Sequence, residues 1–138
     1  MGRILAIDYG TKRCGIAVTD VLKIIANGLD TVETKSLLHF LNQYGREEEI
    51  ESFVIGVPVN LDGSPSEIYD EVKRFIEKLK KAFPGKQVFE VDERFTSKMA
   101  EQAIRDAGVK KKKRRDKGLI DKVSATIILQ EFLESNQI

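Results

Sequence analysis

RILAIDYGTKRCGIAVT, the segment from Arg3 to Thr19, places an apolar run on each side of a short polar turn. The runs Arg3–Asp8 and Gly15–Thr19 have the length of strands, and the glycine-containing turn between them predicts a β-hairpin. We expect a third strand within Ile24–Val32. The N-terminal part of the chain therefore predicts an antiparallel meander of three strands.

Helical and extended patterns alternate along the rest of the chain. Leu37, Leu38, Leu41 and Tyr44 recur at helical spacing, and Ser52–Val57 is a nearly continuous apolar run. Such a run is typical of a strand buried on both faces, as in the centre of a parallel sheet. The expected later elements are a helix from the capping box Ser64–Glu67 to Pro84, a strand at Gln87–Val91, a helix from Ser97 to Gly108 and a last helix from about Gly118 to Leu133.

This order predicts an α/β fold with a mixed five-stranded sheet, in which two parallel strands reached by helical crossovers extend the three-strand antiparallel meander. Helices are expected on both faces of the sheet, and the order resembles that of the ribonuclease H-like fold. At 138 residues, the chain has the length of one average domain. We therefore expect a single ribonuclease H-like domain over residues 1–138.

Composition excludes several classes of protein. Hydrophobic residues make up 41% of the chain and charged residues 33%, which is typical of a globular protein and not of a disordered or membrane-embedded one. The apolar stretches are far shorter than the ~18 residues of a membrane span, and the N-terminus lacks the pattern of a signal peptide, so we expect a cytoplasmic protein. The single cysteine, Cys14, excludes an internal disulfide and a cysteine-based zinc cluster.

Charge is distributed unevenly along the chain. The whole chain carries +1, whereas Arg105–Lys122 holds nine basic and three acidic residues, a net charge of +6. Such a concentration favours phosphate binding, although a solvated loop that only maintains solubility has the same composition. The nucleic-acid contacts predicted in this segment are Lys111, Lys112, Arg114 and Arg115. Lys12 and Arg13 in the first turn are further candidates, with ordinary exposed turn residues as the alternative.

Acidic residues stand at the carboxyl ends of two predicted strands. Asp8 ends the first strand, and Asp92 with Glu93 closes the fifth. Ligands bind at this edge of α/β sheets, although Asp8 can equally be a turn residue and the other two acids simple polar termination. Arg94 follows directly and can pair with either acid or bind a phosphate bidentately.

Asp121 lies on the inward face predicted for the last helix. It shares that face with Ala125, Ile128 and Phe132, at offsets of four, seven and eleven residues. An inward carboxylate costs on the order of several kcal/mol unless a partner neutralises it. The alternative is a first-turn aspartate that stabilises the helix dipole by roughly 0.3–1 kcal/mol. Asp121 on the inward face, together with the acids at the ends of the first and fifth strands, indicates that these carboxylates share a bound cation.

Three converging carboxylates repel one another unless a cation lies between them. Histidine is limited to His39 and cysteine to one residue, so carboxylate oxygens are the available ligands. Oxygen ligands favour hard ions, which predicts Mg²⁺ or Mn²⁺ rather than zinc. Magnesium held by a few carboxylates, with other positions left to water and substrate phosphate, is typical of phosphodiester hydrolysis.

Four motifs in order carry a family resemblance. Asp8–Ala17 fits D-x-G-x-x-R-x-G-x-A, Gly56-Val57-Pro58 with Gly63 fits G-x-P-x-x-x-x-G, Asp92–Ser97 fits D-E-R-x-T-[ST], and Ile120–Gln130 is similar to D-x-x-A-A-x-x-I-L-Q. These motifs resemble the signatures of the YqgF family, which includes RuvX-like proteins. That family of bacterial ribonuclease H-like proteins is described as Holliday junction resolvases and as nucleases that mature the 5′ end of small-subunit ribosomal RNA.

The resemblance implies a metal-dependent endonuclease for structured nucleic acid, with Asp8, Glu93 and Asp121 as the catalytic, metal-binding acids. Asp92 is the alternative to Glu93, and strand alternation allows only one of the two to reach the cluster. Two cations bridged by Asp8 are expected, as are products with a 5′-phosphate and a 3′-hydroxyl. Arg94 and the basic segment would hold the substrate.

Two departures from related patterns matter here. Ser124 stands where the family motif has its first alanine, a small-for-small change. The strand Phe53–Val57 ends in Pro58 without the acid found in RuvC resolvases, so the second acid must come from the next strand.

Substrate and activity have alternatives. Precursor 16S rRNA is the preferred substrate, and branched DNA in the form of a four-way junction is the alternative. Symmetric junction cleavage would require a dimer, and we then expect a weak homodimer. Asp8-x-Gly10-Thr11 with Gly15 also resembles the first phosphate loop of actin-like kinases and ATPases, which need a second lobe that does not fit this length. A non-catalytic nucleic-acid-binding module would use the basic segment alone, and its three acids would weaken phosphate binding.

Overall fold

The computed structural model describes residues 2–57, 67–92, 96–107 and 117–136. Five strands and four helices lie in these ranges, with a short 3₁₀ turn at Thr34–Ser36 before the first helix. The strands are β1 (Arg3–Asp8), β2 (Arg13–Thr19), β3 (Ala26–Glu33), β4 (Ile50–Val57) and β5 (Gln87–Asp92). The helices are α1 (Leu37–Glu47), α2 (Tyr69–Ala82), α3 (Thr96–Asp106) and α4 (Lys117–Asn136).

The strands form one mixed sheet in the order β3-β2-β1-β4-β5. β1 pairs antiparallel with β2, and β2 with β3, which gives the predicted meander. β4 pairs parallel with β1, and β5 pairs parallel with β4. Parallel neighbours need crossover connections, and α1 and α2 occupy the chain between β3 and β4 and between β4 and β5. The predicted mixed five-stranded α/β sheet is confirmed.

Alternating side chains of the sheet form two cores, one on each face. On the face here called the α2 face, strand residues such as Leu5 and Ile55 pack with Leu41 of α1 and Ile76 of α2. On the opposite face, here called the α4 face, the sheet packs against one side of α4 that consists of Ala125, Ile128, Leu129, Phe132 and Leu133. Helices on both faces are therefore confirmed, and α3 packs against α4.

Element bounds differ from the predicted ones where hydrogen bonding extends a strand beyond its apolar run. β2 begins at Arg13 because Arg13 pairs with Glu33 of β3, and β4 begins at Ile50, which pairs with Arg3. α2 begins at Tyr69, after the N-cap residue Ile68. The predicted capping residues 64 and 65 lie outside the described residues. None of the described helices is long and apolar enough to cross a membrane.

Candidate active site

Asp8 is the last residue of β1, at the carboxyl end of the central strand. Its register partners are Gly15 on β2 and Gly56 on β4, so neither neighbouring strand projects a side chain beside the carboxylate. Ile4 and Ala6, which alternate with Asp8 along β1, belong to the core beneath α4. Strand alternation therefore places Asp8 on the α4 face.

The first turn of α4 lies directly on β2 at Gly15. A Cβ on this glycine would overlap the backbone carbonyl of Asp121 and lie 2.9 Å from the amide nitrogen of Lys122. Only glycine allows the helix backbone to approach the strand so closely. Because Gly15 is the register partner of Asp8, this contact places Asp121 beside Asp8 at the carboxyl edge of the sheet.

Asp121 occupies the inward side of α4, as its spacing to Ala125 and Ile128 predicts, since both of those residues are fully buried. Its side chain retains 26% of its exposure, and Arg13 Nε donates a hydrogen bond to Asp121 Oδ2 at 2.8 Å. Arg13 is thus a positive partner that offsets the charge of this carboxylate. The sequence predicts Asp121 as a candidate from its helical spacing and Arg13 as a candidate nucleic-acid contact in the first turn, but it does not predict that the two residues pair.

Cys14 is a fully buried thiol. Its pKa is raised to about 11, chiefly by burial; hydrogen bonds with Thr34 and with the carbonyl of Gly10 oppose this increase, and the negative charges of Asp8 and Asp121 add to it. A thiol with this pKa stays protonated at neutral pH, so Cys14 is a small buried side chain and not a nucleophile.

Asp92 ends β5 and is the register partner of Val57. Its neighbour Val91 packs into the core on the α4 face, whereas Glu90 is bound by Lys73 of α2 at 2.7 Å. Strand alternation groups Asp92 with Glu90, on the face opposite Asp8. Glu93 lies outside the described residues, and within the described part of the chain no three histidine, cysteine or acidic side chains are grouped to hold a metal ion.

The turn between β1 and β2 is anchored from both sides. Thr34 Oγ1 donates to the carbonyl of Gly10 at 2.6 Å, and the Thr34 amide donates to the carbonyl of Lys12 at 3.0 Å. On the other side, the hydroxyl of Tyr9 donates to Glu71 Oε2 of α2 at 2.7 Å. Burial and this hydrogen bond raise the pKa of Tyr9 well above its ordinary value. These hydrogen bonds fix Tyr9, which follows Asp8, and Lys12, which precedes Arg13.

Two of the predicted nucleic-acid contacts lie in the described structure. Lys12 is exposed in the turn, and Arg13 is partly buried against Asp121. The other predicted contacts, Arg94, Lys111, Lys112, Arg114 and Arg115, lie outside the described residues. His39 is exposed on α1, as its position in the helix predicts.

A pocket of about 440 Å³ lies behind Tyr9, on the α2 face, and is here called the Tyr9 pocket. Its lining includes Lys35, Arg74 and Lys78, three basic residues that sequence reasoning missed. Their spacing along the chain carries no signal, because Lys35 precedes α1 and the other two lie on α2. Only the folded chain brings these three basic residues together beside Tyr9.

Comparison with known proteins gives a match along nearly the whole chain. A family model described as "RuvX: Holliday junction resolvase" matches residues 2–135. A protein of Christiangramia forsetii is 53% identical over 133 residues, which cover 96% of this chain and 98% of the relative. A protein of Porphyromonas gingivalis is 54% identical over 135 residues, covering 98% of each. Both relatives carry the name "Putative pre-16S rRNA nuclease".

A similar fold occurs in a solved structure. The fowlpox virus resolvase, in the crystal structure titled as its complex with substrate Holliday junction DNA, matches with a TM-score of 0.58. The match covers 96% of this chain and 97% of the viral chain at 14% identity. At this identity, the likeness concerns the fold alone, and it agrees with the ribonuclease H-like order predicted from the sequence.

Proposed function

Because this chain belongs to the RuvX family, we propose that it is a metal-dependent endonuclease that processes the 5′ end of precursor 16S rRNA. The name shared by its relatives supports the RNA substrate. The observation that carries the chemistry is the approach of α4 to β2 at Gly15, which places Asp121 beside Asp8. Two acids from distant parts of the chain then face one edge of the sheet.

The donor set fits a hard divalent cation. Asp8 and Asp121 offer carboxylate oxygens, while Cys14 is protonated and His39 is exposed on the outer surface of α1. Oxygen donors of this kind suit Mg²⁺ or Mn²⁺. We assign Asp8, Asp121 and Glu93 as the residues that hold it, with Glu93 preferred to Asp92 because Asp92 groups with the α2 face.

A divalent cation at these acids supplies positive charge that offsets the charge developing on the phosphate and on the leaving 3′ oxygen. The residues of the chain supply the remaining functions. Asp8 and Asp121 would hold that cation at the sheet edge, and Lys12 and Arg13 would offset the charge of flanking phosphates. We assign the basic residues of segment 110–115 and Arg94 further contacts along the phosphate backbone. Water adds to phosphorus as the bond to the 3′ oxygen breaks, which leaves a 5′-phosphate and a 3′-hydroxyl.

Holliday junction cleavage is the second candidate function, and the description of the matching family model favours it. The two candidate functions require different oligomeric states. A junction is cut symmetrically, so its resolution requires a dimer, whereas a monomer suffices for a single cut in precursor RNA. We propose a cytoplasmic reaction in either case, and a homodimer only for the junction reaction.

Side-by-side cleavage assays distinguish these candidates. End-labelled precursor 16S rRNA and a synthetic four-way junction are each incubated with the protein and Mg²⁺ or Mn²⁺. We expect a discrete cut at the 5′ side of the mature rRNA and slower or absent cleavage of the junction. Symmetric junction cleavage without RNA cleavage would make the second candidate correct, and binding of both substrates without any cleavage would indicate a binding module.

A further inference from the structure

We propose that the Tyr9 pocket binds the phosphodiester backbone of the substrate strand, a few nucleotides from the bond that is cut. This inference rests on the proposed nuclease function and adds a second contact region to it. The pocket lies on the α2 face, whereas the candidate catalytic acids lie on the α4 face. Its volume of about 440 Å³ lies within the roughly 300–1,000 Å³ range typical of ligand sites.

The floor of the pocket is rigid and mostly apolar. The rings of Tyr9 and Phe75 lie with centroids 5.3 Å apart, and each residue keeps only 8% of its exposure. The Tyr9 hydroxyl is held by Glu71. This buried aromatic pair gives the pocket an apolar floor, whereas Arg74 and Lys78 on its rim are exposed to solvent.

The rim of the pocket is positively charged. Lys35, Arg74 and Lys78 line it together with a single acid, Glu71, which is engaged with Tyr9. Lys35 lies 3.3 Å from Glu33, but both side chains are mostly exposed, so solvent weakens this ion pair and Lys35 remains available to another anion.

Arg74 lines the pocket together with Tyr9 and is exposed to solvent. Arg74 and Lys78 are four residues apart on α2, so both project from the same side of the helix. Two cations on adjacent turns present a charged strip that suits successive phosphates better than one small anion.

The pocket and the catalytic edge are adjoining parts of one surface. Asp8 and Tyr9 are consecutive, and their side chains point to opposite faces of the sheet. Thr34, which lines the pocket, binds the carbonyl of Lys12, and Lys12 is followed by Arg13 at Asp121. A strand that passes over this turn therefore meets cations on both faces.

Charge-removal variants test the pocket. We compare Arg74→Gln/Lys78→Gln with the control Lys80→Gln/Lys81→Gln, which removes the same charge from exposed positions of the same helix. Binding of fluorescein-labelled single-stranded precursor RNA is measured by anisotropy in EDTA over a range of salt concentrations. Loss of two phosphate contacts should reduce the slope of log affinity against log salt by about 1.4. We expect the control slope to match the wild-type slope.

The outcomes separate this inference from the proposed function. If wild type binds and cuts RNA and the two double variants have the same slope, the pocket does not bind the backbone. If wild type binds no RNA at all, the proposed function fails first. Competition by millimolar AMP or inorganic phosphate that abolishes RNA binding in wild type but not in the pocket variant would indicate a small-anion site and overturn the backbone assignment. Thermal unfolding checks that both variants are folded.

Discussion

Replacement of Gly15 by alanine should separate the two candidate catalytic acids. The added Cβ would overlap the backbone carbonyl of Asp121, which has no side-chain freedom with which to move aside. The first turn of α4 must therefore shift away from β2 by about 1 Å or more. Overpacking of this kind costs about 1–3 kcal/mol of unfolding free energy, and a misplacement of ~1 Å in a catalytic group can reduce the rate about 100-fold.

Gly28→Ala is the matched control for this prediction. Gly28 lies on the neighbouring strand β3 beneath the same helix, but its Cβ would meet Lys122 Cγ at 2.8 Å, the stem of a flexible side chain that can move. We expect Gly28→Ala to retain cleavage within about threefold and Gly15→Ala to lose about 100-fold while remaining folded. Single-turnover cleavage of labelled RNA and thermal unfolding provide both measurements. Full activity in folded Gly15→Ala would refute the placement of Asp121 beside Asp8.

Two further predictions concern residues around this pair. The pKa of Cys14 is raised from its ordinary value near 9 to about 11, so its ionisation disfavours the folded state. Unfolding free energy should fall by about 2 kcal/mol as pH rises from 9 to 11. Urea titrations should show a flatter pH dependence in Cys14→Ala than in wild type, and parallel curves would contradict the burial argument. Removal of the charge beside Asp121 in Arg13→Gln should strengthen Mn²⁺ binding without RNA up to about fivefold, since a partly exposed ion pair contributes about 0–1 kcal/mol. Calorimetry against the exposed-turn control Lys12→Gln measures this change, and weaker Mn²⁺ binding would mean that Arg13 instead positions the carboxylate.

The parts of the fold that depend on local pattern could be predicted from the sequence. The apolar run Arg3–Asp8 corresponds to β1, and the spacing of Ala125 and Ile128 identified the buried side of α4. Both patterns follow from the periodicity of a strand or a helix, which any short window contains. The same periodicity predicts that Asp121 lies on the side of α4 that faces the sheet.

Contacts between distant positions could not be predicted in this way. Arg13 and Asp121 are 108 positions apart, and Tyr9 and Glu71 are 62 apart. No short stretch of sequence contains both residues of either pair. Charge alone does not identify the partner, because the chain contains many other charged residues. Long-range packing also determines the order of the strands and brings the basic residues together around Tyr9. The Tyr9 pocket could therefore be recognised only in the folded structure.

Asp8 is the residue on which the proposed metal-dependent cleavage depends most. The direct test is a Mg²⁺ titration of single-turnover cleavage of end-labelled precursor 16S rRNA by wild type, Asp8→Asn and the control Glu77→Gln, an exposed acid on α2. Loss of a metal ligand should cost more than the 10–100-fold typical of residues that only support ligands. We expect Asp8→Asn to lose more than about 100-fold at every Mg²⁺ concentration, with Glu77→Gln equal to wild type. Equal rates in wild type and Asp8→Asn would contradict the carboxylate mechanism.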